Sequence, residues 1–496
     1  MNKFTSPAPE HQSRAQNRKT LEEMGIDLFP AKAWHPTHAI ADLPSLFNQH
    51  MDIAEEDRPQ IRIAGRLFAR RRVGGVWFAD LWQAHATVQL RIRLDDVDPD
   101  LWQMLEYLDI GDFLGAVGSL IRTRRGELTL KINEMQILGK PATTPAIGKL
   151  GGDGQHHGAQ ADRGALLRER RHVAMMTDKG LFSNIQAYGK ILQVFRKVLD
   201  EEGYLEVQTS VMGRYYGGAA AEPFVTRSRA MGEDLYLRVS PEPDLKRMLA
   251  GGFERIYEIG RNWRNEGIDA THQPSFTAFE AYRAWADYKD MMTLTEKLVS
   301  QCVRALHGGF RMRRGNVTLD FEPPWPRHRM RDLVAREVGI PSCKLTNTVM
   351  REVWKTRLPA NAVPGSEGEL LVALFEEFIE NSLQGPCFVI DYPLEGSPLT
   401  KRHRQTPGTV ERFEAYVMGV ELANAYSELN DPFEQRTRLE EQDDGRDEAY
   451  GVDEYFLAAI EDGLPQAGGL GIGMDRLVML LTGTDRLAHV LPFPLA

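Results

Sequence analysis

The chain has 496 residues, 42% apolar and 26% charged, an ordinary composition for roughly two to four packed domains with ample core. No uninterrupted apolar run approaches a membrane span, and the polar start MNKFTSPAPEHQSRAQNRK has no signal-peptide core, so no membrane partner and a cytoplasmic location are expected. A net charge of −10 disfavours nucleic-acid binding unless the cations are clustered. Cys302, Cys343 and Cys387 have neither C-x-x-C spacing nor a His-rich neighbourhood, which excludes a disulfide framework or structural zinc and makes them small buried hydrophobes.

Residues 10 to 30 read as a polar helix carrying Arg14, Arg18 and Lys19, ending near Gly25 and Pro30. From Ile61 to Leu138 come the alternating runs IRIAGRLFARR, GVWFADLW, ATVQLRIRL, FLGAVGSLIRT and ELTLKINEMQIL, with a helical DPDLWQMLEYL between them. This succession suits a five-stranded Greek-key barrel of the OB type. Here the cations cluster: between Arg62 and Arg93 the chain has Arg62, Arg66, Arg70, Arg71, Arg72, Arg91 and Arg93 with only Asp80 as a counter-charge, whereas Glu440 to Glu448, EEQDDGRDE, is acidic. Phe78 among these arginines, with Gln89 and Glu134, offers the stacking surface and base-edge contacts that single-stranded RNA needs. Trp77, on the opposite face, is packing.

Gly139 to Gly164 is rich in Gly, Pro and Ala without periodicity and reads as a linker; its His156 and His157 are solvated residues rather than metal ligands, since a metal needs further ligands close by. Leu181 to Gly203 has helical apolar spacing at Ile185, Tyr188, Ile191, Leu192, Phe195, Val198 and Leu199, and the strand YLEVQTS follows. Strands then alternate with helices to the end, with Arg331 to Leu383 mostly helical, an α+β pattern.

Phe253 to Tyr288 reads as two strands flanking a polar loop. Period-2 alternation puts Tyr257, Ile259 and Trp263 on one face of the first strand and Glu258, Arg264 and Glu266 on the other. The return strand aligns Phe276, Glu280 and Tyr282, so one arginine, three carboxylates and two aromatics converge on one surface. Further on, Gly469, Gly471 and Gly473 fit neither G-x-G-x-x-G nor a P-loop, and instead let backbone approach a ligand closely. Arg476 follows at the start of a helix, where a cation opposes the helix dipole.

The string GRNWRNEGIDATHQPSFT resembles motif 2 of the class II aminoacyl-tRNA synthetases, in wording close to that of the lysyl-tRNA synthetases. GVELANAYSELNDP (Gly419 to Pro432) and GGLGIGMDRLVMLLTG (Gly468 to Gly483), the latter similar to motif 3, follow in family order, and the resemblance runs from roughly Arg14 to Pro494. It implies an α+β chain: an N-terminal helix and OB-type anticodon-binding β-barrel over 1–138, a linker over 139–165, and over 166–496 a class II catalytic domain. That domain is an antiparallel sheet with flanking helices and a helical insertion at about 330–385. The implied activity joins L-lysine to ATP, with Mg2+, as lysyl-adenylate and transfers it to lysine tRNA, with no DNA partner. The helix and strand from Leu181 would be motif 1, which forms the homodimer interface in the family; periodicity alone fits a helix packed inside a monomer equally well.

By the same resemblance, Arg264 grips the α-phosphate and the substrate carboxylate, and Arg476 holds the γ-phosphate. Phe276 stacks on adenine, His272 contacts the nucleotide, Glu266 hydrogen-bonds the adenine edge, and Glu414 and Glu421 bind Mg2+. Gly218, Glu242, Glu280, Tyr282, Asn424, Tyr426 and Glu428 match lysine-binding positions, with Gly218 near the α-amino end. Glu242 and Glu428 are the expected ammonium partners, since a buried ammonium must be paired. Strand parity sets Glu421 opposite Asn424, Tyr426 and Glu428, so a bulge or turn near Gly419 is required if all serve one site. Arg71, Phe78, Gln89 and Glu134 match positions that read the central anticodon uridine.

The chain departs from the family wording at Tyr216, Glu222, Pro243, Asp244, Ser275, Ala488 and His489. Two other readings accommodate these changes. One is activation of lysine or an analogue for a non-tRNA acceptor; the other, a silent RNA-binding regulator, predicts loss of Arg264, Arg476, Glu414 or Glu421, all of which are present.

Overall fold

A computed structural model describes residues 9–145, 149–150, 156–157, 169–219, 221–444 and 452–495. Two compact units, Met1–Phe182 and Ser183–Ala496, make up the chain. Among the described residues no helix is long and apolar enough to cross a membrane.

In the first unit, helix α1 (Pro9–Glu23) precedes strands β1 (Ile61–Val73), β2 (Val76–Gln83) and β3 (Ala86–Arg93), helix α2 (Pro99–Met104), and strands β4 (Phe113–Arg122) and β5 (Leu128–Gly139). The strands close into a five-stranded barrel in the order β1-β2-β3-β5-β4. Alternation drives the closure: Ile61, Ile63, Leu67, Leu81, Leu90, Ile92, Leu130 and Ile132 fill the interior. Trp77 is in this core, whereas Phe78 is on the outer surface. Much of the expected linker lies outside the described residues; near its start, Arg14 Nε donates to Thr144 Oγ1 at 3.0 Å and Arg14 Nη1 donates to the Pro141 carbonyl. His156 and His157 form part of a two-residue ladder. Part of the acidic stretch Glu440 to Glu448 is also outside the described residues.

The second unit is built on one sheet. Its chain order is α3 (Lys179–Glu201, from Ser183 on), β6 (Leu205–Glu206), α4 (Glu242–Ala250), β7 (Arg255–Trp263), β8 (Ser275–Ala284) and α5 (Tyr288–His307). Then come β9 (Arg327–Arg329), the helices α6 (Met330–Val338), α7 (Asn347–Arg357) and α8 (Glu367–Phe378), and β10 (Cys387–Ile390), β11 (Arg412–Val417) and β12 (Val420–Ser427). The last elements are α9 (Glu454–Gly463), β13 (Ala467–Gly473) and α10 (Met474–Thr482). The sheet order is β9-β10-β11-β12-β13-β8-β7-β6. The six central strands are antiparallel, and β9 and β6 join parallel at the two edges. Of the expected strand YLEVQTS only Leu205–Glu206 is in the sheet.

One face of the sheet packs Tyr257, Phe279, Ala415, Ala425 and Ile472 against Ile191, Phe195 and Leu199 of α3 and Met291, Leu298 and Cys302 of α5. The helices α6 to α8 have their own cluster around Leu333, Met350, Trp354 and Phe375. Cys302 and Cys387 are buried, but Cys343, on a short turn between α6 and α7, is exposed, so it is not the buried hydrophobe expected from its sequence.

Truncating a buried indole leaves a cavity as well as losing transfer free energy. Trp77→Ala should therefore lower the urea-unfolding stability of the barrel unit by about 3–5 kcal/mol, and a loss below 1 kcal/mol would contradict its place in the core.

Candidate active site

The face of the sheet away from the α3–α5 core carries a cavity of about 1080 Å³. It exists because β7 and β8 pair in a register that sets Asn262 opposite Phe276 and Glu258 opposite Glu280, so the even-numbered residues of both strands share the open face. Arg264, Glu266, Phe276 and Glu280 line it. Glu258 does not. It is held by Arg238 at 2.7 Å and by the Thr209 hydroxyl at 2.8 Å, which makes it structural and corrects the expectation that three hairpin carboxylates converge.

At the outer end, the Arg264 guanidinium stands over the Phe276 ring at 5.0 Å, and its buried Nε has no hydrogen-bond partner. Arg476, in the first turn of α10, puts Nη2 3.0 Å from His272 Nε2 and Nη1 3.6 Å from Glu421. His272 is positioned in turn by Asp269, 2.8 Å from its Nδ1. The cation that opposes the helix dipole is thus held in the cavity by polar neighbours. Two arginines, an imidazole and an aromatic face together make a surface for a polyanion with a planar ring.

Glu414 and Glu421 share this face because of a bulge. On β11 and β12, Glu414 pairs with Asn424 and Ala415 with Ala423, but Tyr416 pairs with Glu421, so Leu422 has no opposite residue and parity flips. The two-residue turn that follows has Met418 at φ 54° and Gly419 at φ 71°, the left-handed pair a tight hairpin requires. Both devices anticipated near Gly419 are present. Glu414 accepts from Tyr392 (2.8 Å), Tyr416 (2.6 Å) and Arg412 (2.6 Å). Removal from bulk water, and then Glu414, push the Glu421 carboxyl above its ordinary range, while Arg476, Arg412 and Arg264 pull it down. Two carboxylates on one face are hard oxygen donors that fit a divalent cation.

At the inner end, Glu280, Asn424 and Tyr426 line the cavity, while Glu242, Tyr282 and Glu428 are absent from its lining. Gly218, at φ 83°, forms part of the wall; a side chain there would crowd Ser240 Oγ and Glu242 Cβ. Ser240 Oγ lies 2.9 Å from Glu280 Oε1, and the Tyr282 hydroxyl donates to Glu280 Oε2 at 3.1 Å. Tyr426 donates to Glu242 at 2.6 Å. Glu242 and Glu428 are both reached by Lys246, whose Nζ is 2.6 Å from Glu242 Oε1 and also contacts Glu428 Oε2. These contacts are ionic by distance without hydrogen-bond alignment, and Glu428 Oε1 has no partner. Gly469 is required here, because a Cβ would overlap Glu428 Oε1 and crowd the Tyr282 ring.

Burial, and next Glu242, push the Glu280 carboxyl up to about 8. Glu428 is raised likewise by burial, against the pull of Lys246. For Lys246 burial works against the charge, but Glu242 and Glu428 outweigh it and hold the ammonium above its ordinary value.

Asn262, which is not among the site residues expected from the sequence, shares the parity of Arg264 on the hairpin; it is 2% exposed with Oδ1 unpaired in the cavity wall. Arg412, which joins Glu414 to Asn424 Oδ1 at 3.1 Å, and Lys246 carry no comparable signal.

On the barrel, Arg71, Phe78 and Arg91 lie side by side across β1, β2 and β3, with Arg71 over the Phe78 ring at 5.1 Å. Gln89 is next on β3, opposite Asp80 and Thr129. Glu134 is further along β5, beyond a register shift, paired with Val117 of β4. Several other arginines are engaged: Arg62 stacks on Trp34, Arg66 on Phe113, and Arg70 donates to the Leu105 carbonyl at 2.6 Å.

The comparisons agree with this geometry. Residues 164–496 match the family described as tRNA synthetases class II (D, K and N), and residues 61–138 match the OB-fold nucleic acid binding domain. A lysine–tRNA ligase of Pelotomaculum thermopropionicum is 41% identical over 97% of this chain and 94% of its own length. One of Dehalococcoides mccartyi is 39% identical over 98% and 97%. One of Clostridium novyi is 38% identical over 97% and 93%. With its cavity on an antiparallel sheet, its arginine pair and its OB-type barrel, the chain belongs to the class II tRNA synthetases of the D, K and N group.

Proposed function

We propose that this protein is a lysine–tRNA ligase: it activates L-lysine with ATP and transfers the lysyl group to the 3′ end of lysine tRNA. The observation that carries the reading is the inner end of the cavity, where Glu242, Glu280 and Glu428 are buried with Lys246 between two of them, while the nearby Arg238 is held by Glu258. Three carboxylates against one ammonium leave room for another cation, and a lysine side chain supplies it. The names of the relatives support the same substrate.

In the first step an oxygen of the lysine carboxylate attacks the α-phosphorus, a P–O bond forms, the α–β anhydride bond breaks and pyrophosphate leaves. Arg264 would neutralise the lysine carboxylate and the α-phosphate, which otherwise repel each other, and Arg476 would hold the far phosphates in line. Phe276 offers a stacking face for adenine, with Glu266 and His272 beside it. Glu414 and Glu421 would hold Mg2+, which when bound neutralises phosphate charge and favours the leaving pyrophosphate. In the second step the terminal ribose hydroxyl of the tRNA attacks the lysyl carbonyl and AMP leaves. Arg71, Phe78 and Gln89, with Glu134 at the margin, would read the anticodon. The exposed Leu205 and Met212 support a homodimer, and the composition supports a cytoplasmic enzyme.

ATP–pyrophosphate exchange should respond to lysine among all amino acids, and lysine tRNA should be charged. Exchange without charging would favour another acceptor. Arg264→Ala should lower exchange by about 3 kcal/mol in transition-state free energy, roughly a hundredfold or more; an unchanged rate would remove Arg264 from the phosphate.

The pocket also predicts a pH dependence. A Glu280 carboxyl raised to about 8 holds a proton in the empty pocket at neutral pH, and an entering ammonium must displace it. Lysine KM should therefore fall as pH rises from 6.5 to 8, by up to about tenfold per unit, then level off. A KM flat over that interval would contradict a protonated carboxyl in the empty pocket.

Phe78→Ala should cost about 1–3 kcal/mol in tRNA binding through lost base stacking, with lysine-dependent exchange unchanged. Undiminished tRNA affinity would move the anticodon contact elsewhere.

A further inference from the structure

Seven arginines lie between Arg62 and Arg93 on the barrel, and six of them are engaged within it. Arg62, Arg66 and Arg71 stand over the rings of Trp34, Phe113 and Phe78, and Arg70 donates to the Leu105 carbonyl. Arg72 and Arg93 pair with Glu106 and Asp95 at 2.5 and 3.5 Å. Arg91 is the exception: among the described residues no carboxylate, carbonyl or ring holds its guanidinium, and its Nε is buried without a partner. The Lys131 ammonium on β5 likewise has no ion pair or hydrogen bond among the described residues. The two are neighbours. Arg91 is opposite Phe78 on one side and Lys131 on the other, so Arg71, Phe78, Arg91 and Lys131 form one row across β1, β2, β3 and β5. Leu90, Ile92, Leu130 and Ile132, which alternate with them, fill the barrel interior, so both cations are on the outer surface. Strand spacing puts the Arg91 and Lys131 positions about 5 Å and about 10 Å beyond Phe78.

We propose that Arg91 and Lys131 are a phosphate clamp: they hold two backbone phosphates of the anticodon loop beside the base stacked on Phe78, and add affinity and register without reading sequence. This rests on the reading of the barrel as the tRNA-binding unit. A half-buried guanidinium with an orphaned N–H is costly until an acceptor completes it, and a phosphate oxygen does so with charge. In a chain of net charge −10, two uncompensated cations next to an aromatic face are a local departure from the overall sign. Cations that follow the backbone while a ring takes the base are what a single-stranded RNA requires, and phosphate contacts fix position whatever the sequence.

The test is equilibrium binding of the full chain to lysine tRNA as salt rises from about 0.05 to about 0.4 M. Each phosphate contact to a single strand contributes about 0.7 to the slope of log affinity against log salt. Arg91→Gln combined with Lys131→Gln should therefore lower that slope by about 1.4 and weaken binding about 25-fold at about 0.1 M salt. The same factor should be lost with a lysine tRNA whose central anticodon uridine is replaced, so discrimination between the two RNAs persists; an unfolded barrel would erase it. Arg91→Lys combined with Lys131→Arg, which keeps both charges, should keep the wild-type slope. The proposal is overturned if the Gln pair leaves the slope unchanged, if the loss falls on the unaltered lysine tRNA alone, or if the charge-conserving pair loses as much slope as the Gln pair. A wild-type chain that does not bind lysine tRNA would overturn the tRNA reading and the clamp with it, a result distinct from wild-type binding that the Gln pair leaves intact.

Discussion

The organisation of the active site depends on charge balance in a place without water. Glu242, Glu280 and Glu428 are each less than a tenth exposed, and carboxylates so buried cannot all ionise without compensation. The chain supplies the ammonium of Lys246, the Arg238 guanidinium already paired with Glu258, and several hydroxyls, from Ser240, Tyr282 and Tyr426. The remaining deficit is what the pocket offers a ligand. A side chain that ends in an ammonium relieves it, and one of the same shape without the charge leaves the carboxylates stranded.

The same logic, with the signs reversed, governs the outer end. Arg264 carries a buried Nε with no partner, and Arg476 is steadied by His272 and Glu421. An excess of fixed positive charge there suits a triphosphate and the carboxylate that attacks it, because dipoles and charges already in place need no reorganisation during reaction. The sheet keeps the two ends apart: β8 and β12 each contribute to both, and their opposite face is locked into the α3–α5 core.

Much of this was legible in the sequence. The parity of Arg264, Phe276 and Glu280 follows from period-2 alternation, and the structure puts them on one face. The burial of Trp77 beside a half-buried Phe78 on the outer surface follows from the same rule. The parity conflict at Glu421 was also legible, and the bulge at Leu422 resolves it. What was not legible depends on neighbours distant in the chain. Glu258 has the parity of the cavity face, yet Arg238 and Thr209 claim it. Lys246 follows Glu242 by one helical turn, a spacing usual for exposed pairs, and only Glu428, far along the chain, makes the contact a buried one. Arg412 likewise acquires its meaning from the Glu414 and Asn424 that the sheet register brings to it.

The central claim is that the pocket reads an ammonium, and the most direct measurement compares lysine with norleucine, which has the same length and no charge. The account predicts a kcat/KM for norleucine in pyrophosphate exchange lower by about 10⁴-fold or more, since the buried carboxylates would be left unpaired. Norleucine activated within tenfold of lysine would contradict it.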